Sequence, residues 1–272
     1  MSEVTFLQTK TAADLPVADH ERVVSWHART VVRLKDTLDH YGRYPPDISD
    51  EEFLAFKGCL YLREPHRGTI NPYKFARKVI PFFGSQKEDG VRAAYRVPAD
   101  QVIGESCHWL PDDLSLEQQS MVLQASERAM NEHLRGKGVP DELARYDLLE
   151  PFGLYIAYEG AHRAALYRQI VGATIPALVT RLSYPEPERL SIHITPWNRL
   201  AVVLDERQIF PLGVITGILP LLEDYGVRIG PSWPKYLRCD QEEIEKWVST
   251  QTCMDMEILP PIDGTVPERT GE

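Results

Sequence analysis

The sequence predicts a mixed α/β (α+β) protein, and three observations within residues 91 to 182 carry that prediction. The segment "SLEQQSMVLQASERAMNEHLRG" is built from good helix formers behind Ser115, a capping residue type. Two β-prone runs, "FGLYIAYEG" and "TIPALVTRL", flank "AHRAALYRQIVG", whose apolar period is helical and which stops at Gly172. A further short strand, "VRAAYRVPADQVI", opens the region and enters a proline-containing turn. The order is strand, helix, strand, tight turn, helix, strand.

The flanking regions read differently. Residues 1 to 17 are polar and expected to be irregular. From Asp19 to His40, apolar residues recur at helical spacing (Val23, Val24, Val31, Leu34, Leu38), with Asp19 as the cap. "YGRYPP" breaks this helix, and "SDEEFLAFKGCLYL" predicts a second one capped by Ser49. The aromatic and basic "NPYKFARK" reads as an amphipathic helix between loops. Residues 1–90 are therefore expected to form a helical N-terminal extension and 91–182 the α/β domain. Residues 183–272 are expected to form a mainly helical C-terminal region with a frayed tail, drawn from "ERQIFPLGVITGILPLLEDYG", "QEEIEKWVSTQ" and "PPIDGTVPERTGE".

Composition narrows the function classes. The chain has 272 residues and 31.0 kDa, enough for one large domain or two modest ones. Its net charge of −10 and pI near 5.4 argue against a protein whose main task is holding nucleic acid, because phosphate neutralisation supplies most of that affinity. The opening residues lack the basic and apolar regions of a signal peptide, and no apolar run approaches the ~20 residues of a membrane span. Four scattered cysteines (Cys59, Cys107, Cys239, Cys253) form no CxxC pair. The expectation is a cytoplasmic protein with no membrane contact. His20, His27 and His40 share one helix without a supporting acid pattern, and no GxSxG, HExxH or Walker sequence occurs.

The chemistry concentrates in "YEGAHRAALYR". A strand ends at Glu159, Gly160 permits an unusual backbone angle, and a helix begins near Ala161. The first amides of a helix lack partners and carry the positive end of its dipole, so a phosphate is stabilised there. His162 and Arg163 sit in that first turn, and a guanidinium grips phosphate with two parallel hydrogen bonds. Arg168 is a further ligand candidate, but it lies about 140° round the helix from Arg163. For Glu159 three roles are open: binding a metal, taking a proton from a substrate hydroxyl, or orienting Arg163. His162 either contacts a phosphate or makes a structural hydrogen bond. Asn198 and Arg199 of "TPWNRL" are near enough in the chain to be considered for the same ligand.

The loop "EGAHR", the following "GATIPALV" and the upstream "YRVPADQVI" together resemble the ParB/sulfiredoxin-like superfamily over residues 91 to 182. The resemblance implies a small mixed-sheet domain that holds a nucleotide at Gly160, Ala161, His162 and Arg163. Ala161 stands where the sulfiredoxins carry their cysteine, so that repair chemistry is not implied. The loop is nearer the free serine kinase branch, which implies a kinase-type transferase using Mg²⁺ with ATP, ADP or CTP, Glu159 as catalytic base or magnesium ligand, and a small hydroxyl-bearing acceptor. The alternatives are a ParB-like, CTP-binding, DNA-associated regulator and a non-catalytic nucleotide sensor. The DNA alternative needs a recognition helix, and none is visible. Residues 201 to 272 carry thirteen acidic and six basic side chains, and Pro231 and Pro234 interrupt the nearest helix-turn-helix candidate.

Overall fold

A computed structural model describes residues 19–43, 70–84, 92–104, 115–138, 143–212, 217–230, 232–235, 237 and 242. In chain order these form α1 (Asp19–Arg43), α2 (Pro72–Val79), β1 (Ala93–Pro98), β2 (Val102–Ile103), α3 (Leu116–Leu134), β3 (Ala144–Glu150) and β4 (Leu154–Glu159). There follow α4 (Arg163–Arg168), β5 (Thr174–Ser183), β6 (Leu190–Ile194), β7 (Leu200–Leu204), β8 (Gln208–Pro211), α5 (Ile218–Tyr225) and β9 (Arg228–Ile229). The protein is of mixed α/β class with two sheets.

Local chemistry accounts for the helices. In α1, positions 28, 31, 32, 35, 38 and 39 form one buried stripe, which includes the charged pair Lys35 and Asp39. The Asn71 side chain caps α2 by accepting from the amides of Tyr73 (3.0 Å) and Lys74 (3.2 Å), with Pro72 in the first turn. Ser115 and Gln118 form a reciprocal capping box at the start of α3.

The first sheet has the order β1-β5-β3-β4-β2. Its central strand β3 runs parallel to β5 and antiparallel to β4, while β1 lies antiparallel on β5 and β2 parallel on β4. Strands β1, β4 and β5 fall where their apolar patterns predict. The segment "ARYDLLE" is an additional, central strand. Its apolar–polar alternation puts Ala144, Tyr146 and Leu148 on the α4 side, while Arg145 and Asp147, both half-buried, share the opposite face with Leu149.

The second sheet, β8-β7-β6-β9, corrects the expectation of a mainly helical C-terminal region. The apolar, proline-containing run forms β8 at its start and α5 at its end. The hairpin between β7 and β8 turns through Asp205 and Glu206 at φ 50° and 57°, without the glycine or asparagine that usually marks such a turn. The predicted helices "SDEEFLAFKGCLYL" and "QEEIEKWVSTQ", and the predicted frayed tail, lie outside the described residues apart from Glu242.

One continuous core joins the two sheets. Val31 and Val32 of α1 and Phe75 and Val79 of α2 pack with Leu154 and Ile156 of the first sheet, Ile192 and Val202 of the second, and Leu221 of α5. The opposite face of the first sheet carries a separate cluster in which Tyr146, Tyr155, Ile175 and Val179 meet Ala164 and Tyr167 of α4. Among the described residues, no helix is long and apolar enough to cross a membrane.

Candidate functional site: the turn between β4 and α4

The turn after β4 is shaped by two glycines. Gly160 has φ +72°, where an L side chain is strained, and a Cβ there would lie 3.1 Å from the Ala144 Cβ. The Arg163 amide donates to the Gly160 carbonyl (3.0 Å) and the Ala164 amide to the Ala161 carbonyl (3.4 Å), which starts α4. His162 occupies the cap position in helical conformation and offers no side-chain cap to the helix. Gly104, at the end of β2, is the second glycine. A Cβ on it would come within 2.6 Å of the Ala161 carbonyl oxygen and 2.7 Å of the Ala164 Cβ, so only glycine lets β2 approach the turn this closely.

A buried ion pair backs the turn. Lys35 Nζ bonds the Asp39 carboxylate and donates to the Gly104 carbonyl (2.9 Å), while the other Asp39 oxygen accepts from the Ile70 amide (2.8 Å). Both side chains are fully buried. The network ties α1 to the segment that supports the Ala161 carbonyl.

The sequence-predicted residues separate onto two faces. Residues paired in register share a face of the sheet, and alternate residues along a strand switch faces. Tyr146, beneath the turn, belongs to the core on the α4 side, and its hydroxyl lies 3.5 Å from the Gly160 carbonyl. Burial pushes its phenol well above the usual range, and the nearby Arg163 charge opposes that shift. Arg163 therefore acts on the α4 side. Glu159 goes the other way. Arg145 is its register partner and takes its carboxylate, at 3.2 and 3.1 Å. The register shift between Arg145 and Tyr146 makes Tyr158 an extra residue on β4, which turns Glu159 onto the face of Arg145 and Asp147. The contact the structure gives Glu159 is this pairing with Arg145.

Arg168 is held by the scaffold. Its guanidinium donates to the Asp36 carboxylate at 2.6 Å, to the Ala99 carbonyl at 3.0 Å and to the Val102 carbonyl. It fastens α4 to α1 and to the β1–β2 connection. Burial raises the Asp36 carboxyl above its usual range, and Arg168 works against that. Asn198 and Arg199 belong to the β6–β7 turn of the second sheet, where the Arg199 amide donates to Thr195 Oγ1 (3.1 Å) and Asn198 has φ 56°. Cys59, Cys107, Cys239 and Cys253 lie outside the described residues.

A polar cluster on the Glu159 face was not anticipated. Asp147 accepts hydrogen bonds from the Tyr73 hydroxyl of α2 and from Thr180, its register partner on β5. The Tyr158 ring, 64% exposed, meets Tyr73 edge-on at 6.0 Å. Burial pushes Asp147 up to about 6, with the Thr180 hydrogen bond opposing, and donation from Tyr73 favours the ionised form in the same way. The polar alternation of "ARYDLLE" was the available signal for this cluster. Its partners Tyr73 and Thr180 are too far away in the chain for any spacing rule to reach.

Glu159 is exposed enough for ligand contact, with 44% of its side chain accessible. Among the described residues, no group of three or more His, Cys, Asp or Glu side chains gathers to hold a metal. Magnesium does not require one, because it is commonly bound by one or two carboxylates together with substrate phosphates. Glu159 fits that mode as the carboxylate nearest in the chain to the turn. No protein-family model, curated protein or solved structure matches this chain.

Proposed function

We propose that the chain is a nucleotide-dependent phosphotransferase acting on a small hydroxyl-bearing metabolite, with a nucleotide phosphate held at the Gly160–Arg163 turn. The observation that carries this reading is the turn itself. A positive-φ glycine ends a strand, a histidine and an arginine follow at the start of the next helix, and a glycine-backed contact fixes the backbone from behind. Helix α4 has six residues, so its dipole is short and the Arg163 guanidinium supplies most of the attraction for phosphate. His162 adds a second side chain on the same turn. Magnesium, bound with ATP, ADP or CTP, would neutralise charge on the transferring group; for Glu159 to hold it or receive the acceptor's proton, its carboxylate would have to leave Arg145 and turn from the opposite face toward Arg163. Arg168 serves the pocket by fastening α4 in place. The ParB/sulfiredoxin-like resemblance supports the same use of the turn.

The Arg145–Glu159 pair favours one further reading, a domain that binds nucleotide without turning it over. Glu159→Gln and Arg145→Met distinguish the two. Under the phosphotransferase reading, Glu159→Gln abolishes acceptor-dependent nucleotide consumption by ~10²-fold or more while nucleotide affinity is kept, and Arg145→Met does much less harm. Equal and small effects of both variants would refute the role given to Glu159.

A further inference from the structure

We propose that Ser191 and His193 on β6 form a nucleophile–base pair for acyl transfer, with carboxylic esters as the substrate class. The site lies on the second sheet and is independent of the nucleotide turn. His193 Nδ1 is 2.9 Å from the Ser232 carbonyl and Nε2 is 2.9 Å from Ser191 Oγ. A carbonyl only accepts, so Nδ1 carries the proton in the neutral ring. Nε2 is then left with its lone pair, and the Ser191 hydroxyl must be the donor to it. This is the polarity that a serine nucleophile requires, with a backbone carbonyl fixing the tautomer in place of a carboxylate.

The surroundings hold the pair in place. A Cβ on Gly230 would fall 2.2 Å from the His193 ring, so the imidazole lies directly against the Gly230 backbone. The Gly230 amide is bonded to the Ile192 carbonyl at 2.7 Å, which fixes that backbone to β6. The Trp233 ring meets the imidazole edge-on at 6.3 Å. His193 is buried, whereas Ser191 is half-buried and retains access to solvent. Arg228, the register partner of Ser191 on β9, shares its face and is exposed. Its guanidinium is the cation available to the oxyanion that develops on an ester carbonyl.

In the reaction, the Ser191 hydroxyl proton passes to His193 Nε2 as Oγ bonds the acyl carbon. The bond from that carbon to the leaving alcohol then breaks, and the imidazolium returns its proton to the departing oxygen. Water repeats the sequence on the acyl-serine and releases the acid. Because a neutral carbonyl stabilises the imidazolium less than a carboxylate does, turnover is expected to be slow compared with a full triad.

The test uses a tagged fluorophosphonate, which Ser191 Oγ attacks at phosphorus with loss of fluoride, read by intact mass and peptide mapping on the full chain. The expected result is one adduct per chain on Ser191, absent from Ser191→Ala and slowed by ~10²-fold in His193→Gln. An unlabelled native protein, or labelling that persists in Ser191→Ala, would overturn the proposal. Equal labelling rates in a folded His193→Gln protein would overturn the role of the base. Ser191→Ala removes one oxygen from a half-buried position, so the test survives if the histidine variant fails to fold. Nucleotide binding, measured on the same samples, reports on the other site and does not bear on this result.

Discussion

Gly104→Ala tests whether the turn is held as tightly as its contacts imply. The added Cβ would stand 2.7 Å from the Ala164 Cβ and 2.6 Å from the Ala161 carbonyl oxygen. Carbon atoms settle at roughly 3.5 Å or more, so the start of α4 must retreat by about 0.8 Å. Neither opposing group is the end of a flexible side chain, and the Gly104 carbonyl is itself held by Lys35 at 2.9 Å. Overpacking of this kind costs about 1–3 kcal/mol. For a chain of this size that lowers the melting temperature by roughly 2–12 °C. Since the displaced atoms are those of Ala161 and Ala164, His162 and Arg163 between them move too. Nucleotide affinity should fall by about tenfold, the ~1.5 kcal/mol that one weakened charge-assisted hydrogen bond to phosphate is worth. Urea denaturation and thermal melts measure the first effect, and calorimetric titration with Mg²⁺ and ATP, ADP or CTP the second. An alanine variant as stable as the parent would refute the claim that β2 clamps the turn.

Three further outcomes follow from the same geometry. Lys35→Met leaves the fully buried Asp39 without its cation and should cost about 3–5 kcal/mol in denaturant midpoint analysis. Lys35→Met with Asp39→Leu should be less harmful than the single change but not neutral, because the Ile70 amide and Gly104 carbonyl lose their partners. Asp147 sets a pH dependence. Its folded value, up to about 6, lies above the ordinary 3.8, so between those values the folded state binds more protons than the unfolded one. Stability therefore falls as pH rises through that window and levels off above it. Asp147→Asn should flatten this slope and gain about 1 kcal/mol at pH 7, after discounting for partial solvent exposure. A slope unchanged in the variant would assign the pH dependence to other groups.

What could be read from the sequence was local. Helices α1 and α3 and strands β1, β4 and β5 carry their apolar periods and caps within a dozen residues, and Gly160 sits beside the residues whose path it turns. Strand β3 escaped because Arg145 and Asp147 interrupt the apolar pattern expected of a central strand. Their purpose shows only when Glu159, Tyr73 and Thr180 arrive from other elements. Helix position sets Arg168 about 140° away from Arg163, but what it binds instead could not be read locally, because its partner Asp36 is 132 residues away. The second sheet escaped for a different reason. Proline and glycine in "ERQIFPLGVITGILPLLEDYG" suggested short helices, and its hairpin turn lacks the usual residues, so β7 and β8 are specified by pairing and burial rather than by turn chemistry.

The proposed function rests on the Gly160–Arg163 turn binding a nucleotide phosphate for transfer. The most direct measurement is calorimetric titration of the native chain and Arg163→Ala with Mg²⁺ and ATP, ADP or CTP, with the products followed by chromatography in the presence of amino acids and small alcohols. At least one nucleotide should bind, about tenfold or more weakly without Arg163, a charge-assisted loss of roughly 1.5–3 kcal/mol, and its consumption should depend on an acceptor. A native chain that binds none of the three, or an Arg163→Ala chain that binds as tightly as the native one, would contradict the proposed function.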